Sequence, residues 1–101
     1  MTIIEVIKNK KQFLSLLLLA DEQENMIDRY LERGTMYVLN DNGVKAECVV
    51  TDECNGILEI KNIATVPEYQ GKGYARALIE FIMNHYREQY SILQVGTGDS
   101  P

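Results

Sequence analysis

The alternation of apolar and polar positions changes period several times along the chain, and each change marks an element. Positions 2–7 carry Ile3, Ile4, Val6 and Ile7, a β-branched run that predicts a first strand. Positions 10–20 switch to helical spacing, with Phe13, Leu14, Leu17 and Leu18 inward. Asp21 and Glu24 form a D-x-x-E pattern resembling a capping box. It predicts a second helix to about Arg33, with Met26, Ile27, Tyr30 and Leu31 on one face and Gly34 ending it as the C′ residue. Strands follow over 35–39, 44–51 and 56–66, separated by an Asn-Gly hairpin turn at 40–43 and a second turn at 52–56. Pro67 cannot donate to a ladder and closes the fourth strand. Ala75, Leu78, Ile79, Ile82, Met83 and Tyr86 then fall at i, i+3, i+4, i+7, i+8 and i+11, which predicts a helix over about 73–89. Positions 91–95 read as a fifth strand. The predicted class is α/β (α+β), one domain over 1–101, with element order β-α-α-β-β-β-α-β.

The joint between the fourth strand and the last helix concentrates candidate chemistry. It reads Gln70-Gly71-Lys72-Gly73-Tyr74-Ala75-Arg76. The first N–H groups of a helix lack intrahelical acceptors and lie at the positive end of its dipole. Two glycines allow close approach to the main chain. Between Ile60 and Ala77, Lys61, Lys72 and Arg76 stand against Glu68, three cations to one anion. This turn can seat a phosphate or pyrophosphate. It can also be an ordinary glycine turn that binds nothing. The P-loop pattern is absent, and the second glycine does not continue into a dinucleotide-binding fingerprint.

The segment Gln70-Gly71-Lys72-Gly73-Tyr74-Ala75 resembles the Q/R-x-x-G-x-G/A signature of the GCN5-related N-acetyltransferases, the GNAT superfamily. The strand ending Lys61-Asn62-Ile63-Ala64-Thr65-Val66-Pro67-Glu68-Tyr69 resembles the one that leads into that signature, and the following amphipathic helix fits. The resemblance implies a mixed, mostly antiparallel sheet flanked by helices. In it the parallel fourth and fifth strands splay apart to form a cofactor cleft. It also implies a further helix and strand pair after the fifth strand. Here the chain ends on Ser100-Pro101, like an N-cap followed by Pro at N1. The expectation is therefore a short form of the fold, its C-terminal helix and strand pair missing. If the chain is complete, the fifth strand presents an open edge suited to homodimer formation.

The function implied is transfer of an acetyl group from acetyl-CoA to an amine of a small molecule or peptide, by direct attack. By the same resemblance, the backbone amides of Gly71, Lys72, Gly73, Tyr74, Ala75 and Arg76 take the pyrophosphate. Gln70 shapes the loop or contacts phosphate. The strand backbone around Ala64, Thr65 and Val66 pairs with the pantetheine arm, and the Val66 N–H polarises the thioester carbonyl. An alkylamine has a pKa near ~10.4 and arrives charged, so it must lose a proton. Glu59 is the only carboxylate within the fourth strand, eleven residues before Gln70. The histone-acetyltransferase branch carries its general base at that spacing. Glu59 is the candidate base, acting directly or through water; the competing reading is a sheet carboxylate paired with a lysine such as Lys45. Simple alternation groups Glu59 with Lys61 and Thr65, opposite Ile60 and Ala64, unless a β-bulge changes the parity. The family's usual acid is a Tyr from the helix after the fifth strand, and none of the six tyrosines here occupies that position. Tyr69 and Tyr74 flank the loop, Tyr30 and Tyr37 lie toward the acceptor side, and packing is the ordinary reading of all four. His85, the single histidine, reads as a solvated helix residue. Alternatives of another class are a non-catalytic CoA-binding regulatory or interaction module, and an inactive fragment of an enzyme.

Composition narrows the partners. The formal net charge is −5, which argues against general nucleic-acid binding. From Asp21 to Arg33, Asp21, Glu22, Glu24, Asp28 and Glu32 face Arg29 and Arg33. An acidic rim of that kind could attract a polyamine, an aminoglycoside or a lysine side chain, or be an ordinary solvated helix face. Cys48 and Cys54 match no metal or redox spacing and read as two free thiols of a reducing cytosol. The leucine run Leu16–Leu19 is too short to span a membrane and lacks the flanks of a signal peptide.

Overall fold

The computed structural model describes residues 1–96. The Ser100-Pro101 pair lies outside the described residues. Five strands form one sheet in the order β1-β2-β3-β4-β5, with β1 Thr2–Val6, β2 Thr35–Asn40, β3 Val44–Asp52, β4 Ile57–Thr65 and β5 Ile92–Val95. Pairing is antiparallel from β1 to β4 and parallel between β4 and β5, as expected. The helices are α1 (Leu14–Ala20, entered through a 3₁₀ turn Lys10–Phe13), α2 (Glu24–Asp28) and α3 (Tyr74–Tyr86). Among the described residues no helix is long and apolar enough to cross a membrane.

Each face of the sheet is covered by helix. On one side Leu78 and Ile82 of α3 are fully buried against Tyr37, Leu39, Cys48, Val50, Leu58 and Ile60. Burying each of those two side chains stabilises the fold by about 1.5–3 kcal/mol relative to exposure. On the other side Leu17 of α1 and Ile27 of α2, with Leu31, pack on Met36, Val38 and Val49. Cys48 is buried in β3 and Cys54 exposed in the following turn, and both are free.

The second helix is shorter than its periodicity predicts. It begins after Gln23 without a side-chain cap, so the D-x-x-E pattern does not cap it. Asp21 instead accepts a hydrogen bond from the Tyr30 hydroxyl at 3.2 Å. Beyond Asp28 the backbone tightens into i→i+3 bonds from Arg29 N–H to Met26 O and from Tyr30 N–H to Ile27 O. The buried Lys10 ammonium then donates to the carbonyls of Leu31 (2.9 Å) and Gly34 (2.8 Å), a tertiary cap invisible to local propensity. Gly34 is not in the left-handed region. It is required by proximity, because a Cβ there would lie 2.9 Å from both Tyr30 O and Val49 Cγ1.

A β-bulge breaks the pairing of β3 with β4. Val49 faces Asn62 and Val50 faces Ile60, so Lys61 is the extra residue on β4. The bulge reverses parity along β4. Leu58 and Ile60 face α3, yet beyond Lys61 it is Ile63 that packs on that side. Asn62 and Ala64 consequently share the α1–α2 face with Glu59, which corrects the simple alternation for Ala64.

Candidate functional site

β4 runs on where β5 stops accompanying it. Pairing spans Ile57 with Ile92 to Ile60 with Val95, and Gly96 N–H reaches Ile60 O at 2.9 Å. From Ile60 to Thr65 the strand continues for about 17 Å. Val66 N–H donates to Lys45 O at 2.8 Å, so it does not serve as the carbonyl-polarising donor expected from the sequence. Antiparallel alternation then turns Ala64, like Val66, toward β3, while Ile63 and Thr65 present their N–H and C=O groups to the open edge. Of the three backbone positions expected to meet an extended ligand, Thr65 faces outward, and Ile63 joins it.

One end of this edge is the glycine turn. Pro67–Tyr69 forms a 3₁₀ turn, and Gly73 is the N-cap residue of α3. Gly71 (φ 81°) and Gly73 (φ 88°) are left-handed, with nothing within 4 Å of either Cβ position, so their main chain is bare on an open surface. The first intrahelical donor is Ala77 N–H, to Gly73 O at 3.0 Å. Tyr74, Ala75 and Arg76 therefore hold N–H groups without intrahelical acceptors. With Gln70, Gly71 and Gly73 these residues line a hollow of about 310 Å³. Gln70 Nε2 reaches back toward Thr65 O at 3.5 Å. Arg76 is 83% exposed and loosely paired with Glu80 at 3.5 Å, and Lys72 is exposed. The β2–β3 hairpin fixes the turn in place: Tyr74 OH donates to Asp41 at 2.7 Å, and the Lys45 ammonium sits 4.3 Å from the Tyr69 ring centroid. Bare N–H groups, glycine backbone and two exposed cations fit a pyrophosphate.

The other end is a pocket of about 530 Å³ between α2 with the turns around it and the first half of β4 with the C-terminal end of β5. Glu59 lines it, its side chain 13% exposed. Its carboxylate meets Lys61 Nζ at 2.9 Å and accepts from Gln94 Nε2 at 2.6 Å. Lys61 is thus the ion partner; Lys45 donates to Asn42 O and is not. Glu53, which accepts from Thr51, also holds Arg33 (3.4 Å) and Lys61 (3.9 Å), and the Thr51 hydrogen bond leads the causes that keep its carboxyl below the usual range. Tyr30 lines the pocket as well, its hydroxyl accepting from Asn62 Nδ2 at 3.0 Å. Burial pushes Tyr30 up to about 12, so it keeps its proton at neutral pH and acts as a hydrogen-bond bridge. Tyr37 lies on the opposite face, bonded to Tyr86 OH at 2.6 Å, and not on the acceptor side. His85 is exposed and stacked on Phe81, away from the pocket.

The acidic rim does not form as a rim. Glu24 and Asp28 both pair with Lys11, at 2.8 and 2.6 Å. From residues 21–33 it is Arg29 and Arg33, with Asp21, Met26 and Tyr30, that line the pocket. Sequence reasoning also missed Glu47. It is 0% exposed on the Asn62 side of the sheet, and burial pushes it up to about 8. Neither of its oxygens, nor Asn62 Oδ1, has a hydrogen-bond partner among the described residues. The available signal was Glu47 at the centre of a strand with both neighbours apolar, Ala46 and Cys48. Among the described residues no group of three or more His, Cys, Asp or Glu is placed to hold a metal ion.

Comparison with known proteins agrees with this geometry. The family model of the acetyltransferase (GNAT) domain matches residues 32–99. The uncharacterized N-acetyltransferase YvbK of Bacillus subtilis is 31% identical over 91 residues, which is 88% of this chain and 59% of that protein. Among solved structures, an IAA acetyltransferase from Bacillus cereus superposes with a TM-score of 0.88 at 36% identity, covering 98% of this chain and 67% of that one. A GNAT family acetyltransferase from Elizabethkingia anophelis with acetyl-CoA bound gives 0.86 at 31% identity, covering 98% and 66%. This chain therefore spans about three fifths of its curated relative and two thirds of these solved ones. Strand order, glycine turn and sequence similarity converge on one assignment: the chain belongs to the GNAT family of acetyltransferases.

Proposed function

We propose that this chain binds acetyl-CoA along the open edge of β4 and transfers its acetyl group to an amine held in the pocket beside Glu59. The observation that carries this reading is the continuity of the edge: Ile63 and Thr65 offer outward backbone groups between the Glu59 pocket and the bare N–H groups of Tyr74, Ala75 and Arg76. When bound, acetyl-CoA supplies an activated acyl group. The chain's own residues divide the remaining work. The turn at Gly71–Arg76, with Lys72 and Arg76, neutralises phosphate charge. The outward groups of Ile63 and Thr65 hold an extended arm as an added strand. Glu59 accepts the proton of the incoming ammonium, directly or through water.

A second reading has an observation of its own. The Glu59 carboxylate is engaged by both Lys61 and Gln94, as in a structural ion pair. On that reading the chain binds CoA without acetylating anything. Release of free CoA thiol from acetyl-CoA, followed as an amine panel is added, separates the two. Amine-dependent release is the outcome for acetyl transfer. CoA binding with no release from any amine is the outcome for the binding module.

A further inference from the structure

β5 runs beside the candidate base. Glu59 and Gln94 are direct partners in the parallel pairing of β4 with β5, and Gln94 Nε2 donates to Glu59 Oε1 at 2.6 Å. Two residues on, Gly96 N–H donates to Ile60 O at 2.9 Å. Gly96 lies outside the left-handed region, so its backbone does not call for glycine. What calls for it is space. A Cβ there would overlap Glu59 Oε2 and lie 3.1 Å from Glu59 Cδ, while the next atom, Ile60 O, is at an ordinary 3.5 Å. The carboxylate therefore occupies the room that a side chain at position 96 would need. Lys61 Nζ meets the same Oε2 at 2.9 Å. Each oxygen of Glu59 is thus located by one donor, and a carboxylate with about four lone-pair sites keeps capacity for an ammonium or a water.

We propose that the end of β5 is a seat for the base, with Gln94 orienting Glu59 through Oε1 and Gly96 leaving room for Oε2, both as positioning residues. This rests on the acetyl-transfer reading above, with Glu59 as proton acceptor, and says what aims that carboxylate. A glutamate side chain rotates about several bonds, so its place on a strand does not by itself fix where the proton is taken. A misplacement of about 1 Å in such a group can cost roughly 100-fold in rate. The atoms that a methyl at position 96 would meet too closely are the far end of this one flexible side chain, not backbone. Gly96→Ala is therefore expected to move the carboxylate and leave the fold in place.

The test uses the full chain, with Gly96→Ala, Gln94→Leu and each of these combined with Glu59→Gln. The carboxyl carbon NMR resonance of Glu59, identified as the one missing from Glu59→Gln, reads the seat without turnover. It is expected to shift in both single variants, with the amide spectrum otherwise that of the folded wild type. Gln94 is exposed, so Gln94→Leu carries the test should Gly96→Ala fail to fold. Amine-dependent thiol release is expected to lose roughly 10- to 100-fold in kcat in Gly96→Ala and roughly 10-fold in Gln94→Leu, with KM for acetyl-CoA little changed. Both act through Glu59, so the losses are not expected to multiply: each double variant is as slow as Glu59→Gln alone. A resonance that moves in neither variant, a wild-type kcat in both, or losses that multiply with Glu59→Gln overturns the inference. A wild type that releases no thiol with any amine overturns the parent reading instead. A shifted resonance then keeps the seat for Glu59, and an unmoved one removes it as well.

Discussion

Glu59 and Lys61, two residues apart on β4, share one face of the sheet and form a 2.9 Å ion pair, with the β-bulge falling at Lys61. The bulge carries Asn62 and Ala64 to that face. Glu59 lines the pocket, its carboxylate held by Lys61 and Gln94. Glu59→Gln keeps the shape and removes the proton acceptor. It is expected to lower kcat by roughly 100-fold or more with little change in acetyl-CoA affinity. Steady-state kinetics beside a cofactor titration checks this, and an unchanged pH–rate profile would remove Glu59 as the base.

Glu47 makes a stability prediction with a definite sign. Burial raises its carboxyl from 4.5 to about 8, so the folded state favours the neutral form more than the unfolded chain does. The associated stability is fully present below pH about 4.5 and is lost as pH rises toward about 8, on the order of 4 kcal/mol over the window. Glu47→Gln removes this slope. Urea midpoints measured from pH 5 to 8 are expected to fall in the wild type and to stay nearly level in the variant, which becomes the more stable protein at pH 8.

Gly34 and Gly73 are glycines for different reasons, and alanine separates them. At Gly34 the backbone is ordinary, but the new methyl meets Tyr30 O and Val49 Cγ1 at 2.9 Å and Val50 O at 3.0 Å. Two of these are backbone atoms, so Gly34→Ala is expected to destabilise by about 1–3 kcal/mol. An increase in the urea midpoint would show that the contact yields. At Gly73 the methyl meets nothing within 4 Å but the φ of 88° is left-handed, so alanine there is expected to cost about 1–2 kcal/mol through strain.

The sequence was informative where local chemistry decides the structure, and silent where tertiary contacts do. Alternation, the Asn-Gly turn and Pro67 placed all five strands to within a residue or two at each end. The 70–76 signature located the turn, because left-handed φ at Gly71 and Gly73 is written in the glycines themselves. The bulge at Lys61 has no comparable local mark. It arises from registering β4 on β3, and it decides which side chains of β4 share the Glu59 face. The turns that follow α2 are tied down by Lys10, more than twenty residues from the Leu31 and Gly34 carbonyls it bonds. Counting charges over 21–33 suggested an acidic rim. Pairing in three dimensions removed Glu24 and Asp28 from it and left Arg29 at the pocket.

The central claim, a phosphate-binding turn feeding an acetyl-transfer pocket, is tested most directly by calorimetric titration of acetyl-CoA into this chain, with free CoA and dephospho-CoA as controls and Gly73→Glu beside Gly73→Ala. The account predicts saturable binding of acetyl-CoA and CoA by the wild type, retained by Gly73→Ala. It predicts loss of at least 10-fold in affinity in Gly73→Glu, where a carboxylate opposes phosphate at bare N–H groups. A folded wild-type chain that binds neither ligand, or a Gly73→Glu variant that binds acetyl-CoA as tightly as the wild type, would contradict it.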